Sequence, residues 1–229
     1  MIVAQTGDKR FKASQVDVKY LGIDNPVDKQ IEDYCDLLWP IRDRIVCMMD
    51  SNHHLTIEEK TGTSPTRRIG YNLWGKDAES HLLGYSGFLV TRFYYDEDPN
   101  GRKNSRVKTL TWSLCHGIGT GGKTEGGFVT TLGHDATFYD ADVHVYGHNH
   151  QLESWDRVVL GVDHHANRVI SKKITRLNSG SYLKSVSDDM TTSYGEKSRF
   201  RPNSLGHMEF SVKFTKPAVE TYYVKRMIL

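Results

Sequence analysis

Cysteine is scarce in this chain: Cys35, Cys47 and Cys115 are odd in number and show no Cys-x-x-Cys spacing. That argues against a disulfide framework or a thiolate-rich metal site, and thiols in apolar surroundings read as reduced and buried, as in the cytosol. Charge of one sign is also lacking, since 30 Lys and Arg stand against 28 Asp and Glu for a formal net charge of +2. No broad basic field calls for nucleic acid or an anionic membrane, although nucleic acid stays open as a substrate. No apolar run approaches the roughly 18 residues of a membrane span, and Met1 opens no charged-then-apolar signal segment. The expectation is a cytoplasmic protein with no membrane partner. Repeats, low-complexity tracts and linkers are missing as well, so residues 1–229, at 38% hydrophobic and 25% charged, are expected to form one domain around one core. Nothing in the composition speaks to oligomeric state.

What is present centres on Asp142-Val143-His144-Val145-Tyr146-Gly147-His148-Asn149-His150. A short apolar run breaks at a glycine and then offers two histidines two positions apart. In an extended segment residues i and i+2 share a face, so His148 and His150 are expected to address one small volume beyond a strand end. Imidazole is a borderline ligand for Zn, Fe, Mn or Ni, and Gly147 lets the backbone turn so that both rings converge. A lone His-x-His is as readily a pair of ordinary strand-end histidines, so its meaning depends on company.

Two further segments supply it. Ile45-Val46-Cys47-Met48-Met49 has the length and apolarity of a buried strand and runs into Asp50-Ser51-Asn52-His53-His54. Thr109 to Cys115 alternates, with Leu110, Trp112 and Leu114 on one face, and stops at His116-Gly117 before the glycine-rich stretch 118–127. Three expected strands therefore each end in ligand-type residues, at the carboxyl ends where open α/β sheets bind their ligands.

The ordered set Asn52-His53, His116-Gly117 and Gly147-His148-Asn149-His150 resembles the later motifs of the calcineurin-like metallophosphoesterases, most closely their phage-type members, over nearly the whole chain. The resemblance implies an α/β fold, a β sandwich flanked by helices, with two divalent metals (Mn, Fe, Zn or Mg) at one edge. Metal pairs of this kind, roughly 3.5–4 Å apart, clamp the attacking and leaving oxygens of a phosphate ester. It implies Asn52, His116 and His148 as ligands of one metal and His150 of the other. His53 would be the catalytic histidine that stabilises the transition state or protonates the leaving oxygen. The activity implied is hydrolysis of a phosphomonoester or phosphodiester, with nucleotides or DNA among the substrates, and a phage-encoded member would act in the host cytoplasm.

This sequence also departs from the family pattern. The early Asp-x-His and Gly-Asp motifs have no match, so the expectation is an N-terminally truncated version lacking its first strand or strands, in which Asp8 and Asp50 are the nearest substitutes for missing carboxylates. Ser51 stands where the family has glycine, and His54 where it has an acidic residue orienting the catalytic histidine, support whose loss typically costs roughly 10 to 100-fold. The alternative is thus a truncated or degenerate phosphoesterase that binds or assembles without catalysis. A cupin-like barrel also uses His-x-His before a Glu such as Glu153, but the spacing is too short and the helix before Ile45 does not suit an all-β chain.

The remaining elements follow from pattern. Asn25 can cap and Pro26 suits the first turn of a helix in which Val27, Ile31, Tyr34, Cys35 and Leu38 recur at helical spacing until Pro40 ends it. Residues 88–95 and 106–114 alternate around Asp98-Pro99-Asn100-Gly101, the signature of a β-hairpin. Strands are expected over 158–162 and 169–177, with a final pair over 206–214 and 219–224, and Asn178-Ser179-Gly180-Ser181-Tyr182-Leu183-Lys184 resembles a segment that follows Gly-His-x-His in phage-type relatives. Arg67, Arg68 and Lys76 read as solvated surface, with phosphate or nucleic-acid contact as the alternative. His81, His134, His144, His164, His165 and His207 have no motif around them and read as structural or surface residues.

Overall fold

A computed structural model of the chain describes residues 25–96, 105–117, 138–164, 166–182, 186, 196, 199, 201–215 and 218–228. The chain divides into two compact units, residues 1–87 and 88–229. The expected turn at 98–101, the glycine-rich stretch 118–127, Asp8, His134 and His165 lie outside the described residues.

The first unit is helical. Helix α1 spans Pro26–Leu38 with Pro26 in its first turn, where a missing N–H costs nothing, and continues through Pro40 as a 3-10 helix, Trp39–Arg44. Asn25 precedes α1 without capping it by its side chain; its amide bonds the Asp28 carboxylate instead. Helices α2 (Asn52–Thr61) and α3 (Pro65–Trp74) both start at serine caps, Ser51 Oγ accepting from the His54 N–H and Ser64 Oγ from the Arg67 N–H. Ile31 and Cys35 of α1 bury against Ile69 and Leu73 of α3, with Val27, Tyr34, Leu38, Met48 and Trp74 around them. Two members of the basic cluster make ion pairs: Arg68 meets Asp28 and Arg67 approaches Glu79.

Residues 45–49 do not form the expected sheet strand. They run extended beside 81–84, joined by a single bridge between Met48 and Leu82, with Met48 N donating to His81 O and Asp50 N to Gly84 O. Val46 is 58% exposed, so this apolar run lacks the two covered faces that its composition suggested.

The second unit carries a five-stranded mixed sheet in the order β1-β2-β3-β5-β4, made of β1 (Ser86–Asp96), β2 (Ser105–Cys115), β3 (Val143–Tyr146), β4 (Leu152–Asp163) and β5 (Arg168–Ser179). Strands β1 and β2 are neighbours, as the hairpin pattern required, and Thr91 Oγ1 ties them by accepting from Trp112 Nε1. Strands β2, β3 and β5 run parallel, while β4 lies antiparallel on the outer edge of β5. A second ribbon, β6 (Leu205–Thr215) with β7 (Ala218–Ile228), places Met208, Phe210 and Val212 against Leu110, Val143, Val145 and Leu177 on one face of the sheet. The Trp112 and Phe210 rings meet edge-on with centroids 4.8 Å apart. The fold class is therefore mixed α/β.

Candidate metal centre

The parallel register decides where the motif residues fall. Cys115 pairs with Tyr146 and Tyr146 with Asn178, so β2, β3 and β5 end side by side and their next residues leave from one edge of the sheet. Residues 147–151 leave the end of β3 and reach the start of β4, whose Leu152 pairs with Ser179 of β5. This five-residue connection must pass over the end of β5, two strand spacings or roughly 10 Å. So tight a crossing explains its backbone: His148 and His150 both adopt left-handed conformations, φ 65° and 56°, and Asn149 N donates to Gly147 O at 2.7 Å.

The extended geometry expected for the pair is thus corrected. His148 and His150 do not share a face by strand alternation; they sit in a turn. Left-handed backbone at a non-glycine residue costs roughly 1–2 kcal/mol, and such residues concentrate at functional sites.

What the turn brings together is His148 and His116. His148 Nδ1 lies 3.3 Å from His116 Nε2, with the rings edge to face. The loops behind them are in close contact: Gly147 N donates to His116 O, and a side chain at Gly117, φ +85°, would meet Gly147 O at 3.2 Å. A side chain at Gly147 would likewise meet His116 O at 3.3 Å, so both glycines are required by the approach that sets the histidine spacing. Two nitrogens roughly 2.05 Å from one ion at the tetrahedral angle lie about 3.3 Å apart, so these two imidazoles are spaced as ligands of one cation. Asn149, between the histidines, is 5% exposed and its Oδ1 has no hydrogen-bond partner; Asn178 is fully buried with neither amide atom partnered. Oxygen donors of this kind complete mixed nitrogen and oxygen metal sites. Among the described residues, however, no three His, Cys, Asp or Glu side chains converge as a ligand set.

Asn52 and His53 belong to the first unit, where they open α2 directly after the Ser51 cap. Ser51, the departure from the family glycine, therefore has a local reason in the cap. His54 turns into its own unit: 8% exposed, it holds Thr66 Oγ1 at 2.8 Å through Nδ1, and burial pushes its pKa down to about 4. Asp50 is half-buried beside Gly84.

Three of the histidines without motifs make contacts within the fold, while His164 is exposed. His81 stacks on Trp74 and donates from Nδ1 to Val46 O; His144 is fully buried and lies parallel to Tyr146; His207 bonds the Tyr182 hydroxyl. All three cysteines are free thiols, with Cys35 buried but Cys47 and Cys115 only half-buried, which corrects the expectation of three buried ones. Burial raises the Cys35 and Cys47 pKa values, which keeps both protonated.

The sequence reading passed over Asn149 as the variable position of His-x-His and treated Asn178 only as part of a segment. Arg176, 2% exposed over the Trp155 ring, was also missed. One signal was legible: Arg176 and Asn178 break the apolar alternation of a strand flanked by strands on both sides.

No family model matches this chain, and comparison with curated proteins and with solved structures gives no match either. No helix among the described residues is long and apolar enough to cross a membrane.

Proposed function

We propose that the chain is a metal-dependent phosphoesterase that hydrolyses phosphomonoester or phosphodiester bonds, with nucleotides and DNA among its candidate substrates. The observation that carries this reading is the 3.3 Å approach of His116 and His148 at the carboxyl ends of parallel strands. In this reading His116 and His148 hold one divalent cation, with the unpartnered amide oxygens of Asn149, on the same loop, and Asn178, at the end of β5, as candidate oxygen donors. A bound dication would draw electrons from a phosphoryl oxygen and lower the pKa of bound water. The protein's own contribution is rigidity: Gly117 and Gly147 lock the two loops together, so the imidazoles need little reordering to accept an ion. His150 and Asn52 remain ligands by resemblance, and His53 the proton donor.

Isothermal calorimetry with Mn or Zn, alongside hydrolysis of a nitrophenyl phosphodiester, tests the proposal. The parent is expected to bind metal and hydrolyse the ester in a chelator-sensitive way. H148A is expected to lose at least roughly 100-fold in affinity, since outer partners alone are worth roughly 10 to 100-fold. Hydrolysis that survives both chelator and H148A would refute the mechanism.

A second reading, a related fold that binds without hydrolysing, is favoured by the absence of a third His, Cys, Asp or Glu beside the pair among the described residues. Metal binding without turnover in the same experiment would select it.

A further inference from the structure

Strand β4 is the outermost strand of the five-stranded sheet, and among the described residues its pairing partner is β5, along its inner edge. Strand β3 pairs with β5 over Thr175 to Asn178, so residues 157–163 and 168–173 extend past it as a two-stranded arm. Val158, Leu160, Val162 and Val169 share one face of that arm and are 63%, 75%, 57% and 69% exposed. A two-stranded ribbon is marginal in water by itself, and a long apolar edge strand is a template for another strand.

We propose that β4 pairs edge to edge with β4 of a second copy of this chain, antiparallel about a two-fold axis at Leu160. The sequence of β4 is self-complementary in that register. Leu160 faces its own mate, Val158 faces Val162 of the other copy, and Arg157 faces Asp163. Asp156 comes opposite His164. A shift of the axis by one residue sets Arg157 against Gly161 or His165 and loses the charge pairing, so the complementarity selects one register. Each two-fold pair occurs twice, giving two Val–Val contacts and two Arg–Asp pairs around the central leucines, the cross-strand contacts that stabilise sheets. Asp163 already approaches Arg168 of its own chain, at 3.8 Å, and a facing Arg157 adds a second cation to that carboxylate.

The full chain is tested by sedimentation equilibrium at micromolar concentration, where it is expected to be a dimer. L160K places two cations on the axis and is expected to give a monomer with an unchanged circular dichroism spectrum; L160T, which keeps strand propensity, serves if L160K does not fold. R157D is expected to weaken the dimer, and R157D/D163R to restore it by exchanging the charges. Directly opposed residues of antiparallel strands have Cα atoms roughly 4.5–5.5 Å apart, within the roughly 4.4–6.8 Å reach of a disulfide. Mild oxidation should therefore lock L160C as a covalent dimer, while V162C, four residues from its own mate along the pair, and the parent chain should not lock. A monomeric parent, or a dimer that L160C fails to lock, overturns the proposal.

Discussion

Burial sets the behaviour of His54. Its ring is held at 8% exposure against Thr66, and loss of solvent pushes its pKa from 6.5 to about 4, with neighbouring His53 adding to the effect and Asp50 opposing it. The folded state thus binds a proton less readily than the unfolded chain. Stability from this residue is fully present above pH 6.5, falls as the pH drops toward 4, and in total amounts to about 3 kcal/mol. Urea midpoints of the parent and H54Q, compared at pH 7 and pH 4, check it: the parent should lose more stability than the variant by an amount of that order. Parallel pH profiles would show that His54 titrates normally. The sequence exposed the residue types here but not their directions. An imidazole beside Asn52-His53 reads as part of a reactive loop, yet a cap at Ser51 starts a helix that carries His54 inward. Asn149 illustrates the converse, since nothing in its neighbours' chemistry reveals that the turn buries its amide.

Among the elements, the strands were the most legible because their alternation is imposed by two faces with different surroundings. Leu110, Val143 and Leu177 recur toward the β6 ribbon, and the strand ends fall at His116, Gly147 and the residues after Asn178. Residues 45–49 failed for the same reason in reverse, since composition reports apolarity but not whether a partner covers it. The order of the strands was not legible, and it rests in part on a polar contact. Asp142, just before β3, accepts the Thr111 N–H of β2 at 2.8 Å through Oδ2, pairs with Lys172 of β5 at 3.2 Å through Oδ1, and accepts Thr175 N–H through its backbone carbonyl. Burial is the largest single influence on the Lys172 pKa and lowers it, but the hydrogen bonds and charges of Asp140 and Asp142 together raise it above the ordinary value. D142A leaves the Thr111 N–H without its acceptor and should cost roughly 1–3 kcal/mol in thermal or urea unfolding. D142N keeps one acceptor oxygen and loses the charge, so it should fall between parent and D142A, and added salt should narrow its gap to the parent. A D142A chain as stable as the parent would show that hydrophobic packing alone fixes the order.

At the scale of the whole molecule, no linker composition marks the boundary at Gly87 between the two compact units. The motif residues divide with it: Asn52 and His53 lie in the first unit, His116, His148 and His150 in the second. Substitutions in the two units therefore test whether one reaction uses both. If the phosphoesterase reading holds, H116A removes an imidazole from the pair that holds the ion, so its rate should recover in part with excess Mn or Zn. H53A should behave differently in kind. On that reading it removes the proton donor and leaves the His116 and His148 side chains unaltered, so turnover should fall by roughly 10² to 10⁴ while metal affinity measured by calorimetry stays at the parent value. Added metal should then recover nothing. If H53A hydrolyses the nitrophenyl ester at the parent rate, His53 takes no part in the chemistry, and another group must supply the proton.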